Sequence, residues 1–263
     1  MNRIEGKFRK LRRERKKAFI AFITCGDPNL ATTERLALEF ARLGVDILEL
    51  GVPFSDPLAD GPTIQAASAR ALKNRVNLAD VFRLVRRLRK KTELPVALLT
   101  YYNIVYRFGI KNFVKQASLA GVDGIICPDL PVEEAGDLIK AARKNNFATI
   151  FLLAPTTDTQ RIRRISSNCS GFIYYVSLTG TTGARKSLPK ELAGQVRRIK
   201  RITTKPVCVG FGVSNPRQAR EISRVADGII VGSAIIKVIE RNLGRRALVP
   251  KVTGFVRRLR HAL

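Results

Sequence analysis

Residues 49–65 read ELGVPFSDPLADGPTIQ. Three carboxylates, Glu49, Asp56 and Asp60, fall within twelve residues, spaced by Pro53 and Pro57 and followed by Pro62, in a chain of formal net charge +27. Glu49 interrupts the apolar run DILELG. Strand alternation puts it on one face with Ile47 and leaves Leu48 and Leu50 on the other. An acid aimed into an apolar interior is desolvated, which raises its pKa and suits it to trading protons near neutrality. The competing expectation is a glutamate satisfied by neighbouring backbone donors. Asp60, in the following loop, could stay ionised and stabilise developing positive charge, or could cap a helix over 62–72.

Composition narrows the alternatives. The single histidine, His261, lies three residues from the end, so a Ser–His–Asp triad, a histidine-ligated metal or a histidine base in the core is not expected. No lysine lies centrally in an expected strand, which leaves a Schiff-base mechanism without a nucleophile. Cys25, Cys127, Cys169 and Cys208 are scattered with no CxxC pair, and read as buried thiols in a reducing compartment. No metal site is expected. Proton transfer then falls mainly to carboxylates.

The elements that must position these acids alternate regularly. Short apolar runs read as strands near 19–24, 46–50, 96–100, 122–127, 148–153, 172–177, 206–210 and 228–231. Helical patterns such as 32–44 and 132–146 separate them, the second with acids in its first turn and bases in its last. GVDILEL (44–50), GVDGIIC (121–127) and ADGIIVG (226–232) echo one another. Eight strands alternating with helices in 263 residues imply an α/β fold, a single-domain (β/α)8 TIM barrel over 18–263. Residues 1–17 form an extra, basic N-terminal helical segment. No apolar run is long enough to span a membrane and no segment has signal-peptide form, so a cytoplasmic protein is expected.

Barrel sites lie at the C-terminal ends of the strands. There the chain has glycine turns after the last three: SLTGTTGAR (177–185), GFGVS (210–214) and VGSA (231–234). Gly183, Gly212 and Gly232 let backbone N–H groups approach an anion, Ser233 adds a hydroxyl, and a helix starting at Ser233 would direct its N-terminal donors there. The expectation is phosphate binding.

Charge concentrates at the ends. Residues 1–17 hold nine basic and two acidic residues, and 241–263 hold seven basic and none acidic. Within the body, runs such as QVRRIKRI (195–202) suit outer helices with solvated basic faces. A barrel whose basic tails bind nucleic acid or another polyanion is the alternative from a different class, although no nucleic-acid motif supports it.

The segment ELGVPFSDPLADGPTIQ, together with AFITCGDP, CPDLPVEE, VSLTGTTGAR, PVCVGFGVS and ADGIIVGSAI, resembles the tryptophan synthase alpha chain family over roughly 18–240. The resemblance implies a carbon–carbon lyase of tryptophan biosynthesis that cleaves indole-3-glycerol phosphate to indole and glyceraldehyde 3-phosphate. It implies Glu49 as catalytic acid–base and Asp60 as the carboxylate that holds the indole N–H. It implies Phe22, Tyr101, Ile126, Leu152, Tyr174, Thr182 and Phe211 around the substrate, with Thr182 in a closing loop. Gly183, Gly212, Gly232 and Ser233 match the phosphate contacts. The resemblance also implies a pyridoxal-phosphate beta chain as partner in an αββα tetramer, facing Pro53, Asp56 and Pro57, with no cofactor in this chain. A free-standing lyase of the same chemistry is the nearer alternative.

Overall fold

A computed structural model of the chain describes residues 2–176, 191–210 and 212–263. The order begins α1 (Arg3–Arg13), β1 (Ala18–Thr24), α2 (Leu30–Arg42), β2 (Ile47–Gly51), α3 (Pro62–Lys73), α4 (Leu78–Arg89) and β3 (Val96–Leu99). It continues through α5 (Tyr102–Phe108), α6 (Ile110–Ala120), β4 (Gly124–Ile126), α7 (Gly136–Lys144), β5 (Ala148–Ile150) and β6 (Leu152–Leu153). It ends with α8 (Thr159–Asn168), β7 (Ile173–Tyr175), α9 (Leu192–Ile202), β8 (Val207–Val209), α10 (Pro216–Ser223), β9 (Gly228–Val231), α11 (Ser233–Glu240) and α12 (Leu248–Arg260).

Every strand pair among the described residues is parallel, in the order β5-β4-β3-β2-β1-β9-β8-β7-β6. β5 and β6 are two halves of one run, interrupted at Phe151. The lower half pairs with β4 and the upper half with β7, and this one interrupted strand closes the ring. The architecture is the expected (β/α)8 barrel. One expected helix differs. The stretch 132–146 is helical only over α7, with Glu133 and Glu134 in turns ahead of it, so the acid in its first turn is Asp137.

Strand alternation separates two cores. Phe19, Ala21, Ile23, Leu48 and Leu50 pack outward with the helices. Ala18, Ile20, Ile47, Ala97, Ile126, Ala148, Ile150, Cys208 and Ile230 form the inner cluster with Ile4, Phe8 and Leu11 of α1. The basic N-terminal segment therefore plugs the base of the barrel with an apolar face. Small residues make the space for it. A Cβ on Gly124 would sit 2.9 Å from the Ala148 Cβ and 3.2 Å from the Ile4 Cδ1. The Asn2 side chain caps α1 at the Ile4 N–H, and its amide donates to the carbonyls of Asp123 and Asn146 at 2.6 and 2.8 Å.

The recurring GVD/AD sequences have a common physical cause. A residue at the start of a parallel strand presents an N–H that needs an acceptor. Asp46, Asp123 and Asp227 each supply one: their carboxylates accept from the N–H groups of Phe19, Val96 and Val207 at 2.9, 2.8 and 3.0 Å. Their own N–H groups return the bond to the same three residues' carbonyls. Basic residues neutralise them: Lys7 and Arg260 at Asp46, Arg3 and Arg89 at Asp123, Lys200 at Asp227. Part of the basic charge of both tails is thereby spent on the barrel's lower rim. No helix among the described residues is long and apolar enough to cross a membrane.

Asp123→Ala leaves the buried Val96 N–H without its acceptor and the Arg89 guanidinium without its ion-pair partner. Urea unfolding should show a loss of about 3 kcal/mol, and Asp123→Asn, which keeps one oxygen, should lose less.

Candidate active site

Glu49 lies on β2 between Phe22 of β1 and Ala97 of β3. It shares the inward face with Ile47, as alternation requires, and is only 1% exposed. Its Oε2 is buried without a hydrogen-bond partner among the described residues, so their backbone donors do not satisfy that oxygen. Burial, and then the charge of Asp60, pushes its pKa up to about 8. At neutral pH Glu49 is mostly a neutral acid.

Asp60 reaches the same region from the loop between β2 and α3. It does not cap the helix: Gly61 is the N-cap and makes no side-chain bond. The carboxyl is left free for the site. Burial raises its pKa to about 6, and a hydrogen bond from Tyr101 opposes the rise. Two neighbouring acids are thus held in different states near neutrality, the arrangement that separates a proton donor from a charge stabiliser. The Tyr101 hydroxyl also accepts the Ala59 N–H at 2.9 Å, and its ring stacks on Phe54 at 5.0 Å. Tyr101 therefore anchors the loop besides lining the mouth. A second clamp comes from Asp27, whose buried carboxylate takes a two-pronged contact from Arg70 of α3 at 2.7 and 2.9 Å. It ties the loop after β1 to the helix that follows Asp60. The sequence reading missed Asp27, and an acid beside proline at a strand end was the available signal.

The three loop residues expected at a partner surface divide. Pro53 is buried, Asp56 is exposed and Pro57 is half-buried. Leu58, which the sequence reading did not single out, is 93% exposed.

Phe22 and Tyr101 are buried at the mouth, Leu152 and Tyr174 half-buried. Tyr174 is close enough to both acids that their charges add to burial in raising its pKa. Ile126 lies deeper, in the inner cluster against which Leu152 and Tyr174 pack. Two glycines outside the expected set shape this wall. A Cβ on Gly210 would meet the Tyr174 ring at 2.2 Å, and one on Gly51 would meet Phe22 at 2.8 Å. The hydroxyls of Thr24 and Thr100 are buried without partners among the described residues, and neither was singled out. Gly212 has φ +51°, in the left-handed region glycine favours. Gly232 is the N-cap of α11, which begins at Ser233, and packs beside Phe22. Thr182, Gly183 and Phe211 lie outside the described residues.

Fold and site together define a class: a (β/α)8-barrel enzyme with a carboxylate pair at the C-terminal mouth of its strands. Residues 8–262 match the family model described as tryptophan synthase alpha chain. Curated alpha chains from Geotalea daltonii and Caldanaerobacter subterraneus subsp. tengcongensis are 49% and 45% identical. The first alignment covers 93% of each chain and the second 100% of each. The crystal structure of tryptophan synthase subunit alpha from Legionella pneumophila superposes with a TM-score of 0.93 at 38% identity, covering 100% of this chain and 98% of that one. A tryptophan synthase complex from Pyrococcus furiosus gives 0.86 at 39% identity, covering 92% and 97%. The chain belongs to the tryptophan synthase alpha chain family. It is a carbon–carbon lyase, and the family's reaction is cleavage of indole-3-glycerol phosphate. These matches favour that reading over a polyanion-binding barrel.

Gly210→Ala should push the Tyr174 ring toward the two acids. Steady-state assays should show a fall in kcat of about 10²-fold, while circular dichroism stays that of the parent.

Proposed function

We propose that Glu49 and Asp60 divide the chemistry of indole-3-glycerol phosphate cleavage. Neutral Glu49 gives its proton to indole C3. Asp60, ionised, accepts the indole N–H and stabilises the positive charge that spreads onto the ring nitrogen. The Glu49 carboxylate then removes the proton of the adjacent side-chain hydroxyl. The carbon–carbon bond breaks, its electron pair restores the aromatic indole, and the hydroxyl carbon becomes the aldehyde of glyceraldehyde 3-phosphate. Glu49 ends protonated, ready for the next turnover. Phe22, Tyr101, Ile126, Leu152, Tyr174 and Phe211 enclose the indole. Thr182, Gly183, Gly212, Gly232 and Ser233 hold the side chain and phosphate. The observation that carries this reading is Glu49: an acid on the inner wall, with an unpartnered oxygen and a pKa near 8.

The Pyrococcus furiosus relative is described as an α2β2 complex. By that likeness the partner here is a tryptophan synthase beta chain in an αββα tetramer. The pyridoxal phosphate belongs to that chain, and this one works with its own carboxylates. Asp56, Pro57 and exposed Leu58 form the contact loop, with buried Pro53 stiffening it; a prolyl loop loses little entropy on docking. Four buried free cysteines suit a reducing cytoplasm.

Activity requires Asp60 deprotonated and Glu49 protonated. It should therefore fall below about pH 6, as Asp60 takes up a proton, and above about pH 8, as Glu49 loses one. A kcat/KM profile on indole-3-glycerol phosphate checks this bell shape. Glu49→Gln should lower indole release by about 10²–10⁴-fold without loss of fold, and near-normal turnover would overturn the assignment. Added beta chain should raise the parent rate; an unchanged rate would favour a free-standing lyase.

A further inference from the structure

We propose that the cavity at the base of the barrel, at the opposite end from Glu49, binds a small organic anion: a phosphate or carboxylate carried on an apolar body. The cavity holds about 230 Å³. Its apolar floor is Phe8 and Leu11 of α1 with Pro206, the residue before β8. Four cations line it: Arg12, Arg15, Lys16 and Lys17. The one carboxylate in the lining, Asp227, is already engaged, by Lys200 at 2.6 Å and by the Val207 N–H at 3.0 Å.

Few counter-charges face the four cations among the described residues. Arg12 donates to the Thr204 carbonyl at 3.3 Å, and Lys17 donates to the Ala226 carbonyl at 2.8 Å and feels the charge of Asp227. Lys16 pairs at the surface with Glu14 at 3.0 Å. The Arg15 side chain makes no hydrogen bond or ion pair among the described residues. Its backbone is equally informative. The N–H groups of Arg15 and Lys16 close the end of α1 onto the carbonyls of Arg12 and Leu11, and Arg15 adopts φ +54°. That helix-ending position ordinarily takes glycine. Arginine holds that position here, as Arg75 does after α3, and the Arg15 side chain lines the cavity. Four like charges at one opening repel one another, and an anion relieves the repulsion. Planar guanidinium groups match carboxylate and phosphate oxygens, while Phe8, Leu11 and Pro206 give an apolar body a surface to rest on. The volume lies below that of drug-sized pockets and suits a one-ring molecule.

Phenyl phosphate is the probe, titrated into the full-length protein and followed by amide NMR shifts. Saturable shifts are expected at Leu11, Arg15, Lys16 and Asp227. Arg15→Gly with Lys16→Ala removes two exposed cations, and glycine keeps the left-handed backbone. This variant should bind at least about tenfold more weakly at the base, with unchanged cleavage of indole-3-glycerol phosphate. Inorganic phosphate and phenol should each bind the parent more weakly than phenyl phosphate. The proposal is overturned if shifts are confined to the Glu49 end, if the variant binds as tightly as the parent, or if inorganic phosphate matches phenyl phosphate.

Discussion

Desolvation of one carboxylate is the constraint around which the upper barrel is arranged. An isolated ionised glutamate inside an apolar wall is strongly unfavourable, so Glu49 responds by holding its proton to about pH 8. That response is useful only if the acid stays on the inner wall and its neighbours stay in place. Parallel pairing with β1 and β3 fixes its direction. The loop after β2 brings in Asp60, and Tyr101, Phe54 and the Asp27–Arg70 contact hold that loop down. Gly51 and Gly210 leave room for the rings of Phe22 and Tyr174. The lower half of the molecule serves the same end more remotely. α1 fills the base, and the three rim aspartates, with their cations, tie three of the strand entrances to their neighbours.

Much of this was legible in the sequence because it depends on local pattern. Eight apolar runs gave the strands, and alternation within DILELG gave the direction of Glu49. The interruption at Phe151 was not legible, since the run 148–153 is apolar on both sides of it and only the pairing partners differ between its halves. The start of α7 was misjudged because Glu133 and Glu134 suit a helix N-terminus in pattern while the chain there is still turning. The GVD echo was visible, but its cause was not: the acceptor role of each aspartate is defined by a strand distant in sequence. Gly210 and Asp27 were overlooked for the same reason, since their partners Tyr174 and Arg70 lie far along the chain. Pro53 and Leu58 show the limit of reading a loop by composition. Burial, not residue type, decides which of its members meets solvent.

The basic charge now separates into uses. Arg3, Lys7 and Arg260 join Arg89 and Lys200 in neutralising the rim aspartates. Arg87 and Lys91 pair with Glu34 on neighbouring helices. Exposed pairs of this kind contribute little individually, whereas the pairs at Asp46 and Asp123 sit on buried acids and that at Asp227 on a half-buried one. Arg12, Arg15, Lys16 and Lys17 stand apart, gathered at one cavity with few counter-charges.

The central claim is that Glu49 is a neutral acid at physiological pH because the barrel dehydrates it. The most direct measurement is a pH titration of the Glu49 side-chain carboxyl by carbon-13 NMR, assigned by loss of the signal in Glu49→Gln. The account predicts a midpoint near 8. A midpoint close to the ordinary glutamate value of 4.5 would contradict it, because Glu49 would then be ionised at neutrality and unable to protonate the indole ring.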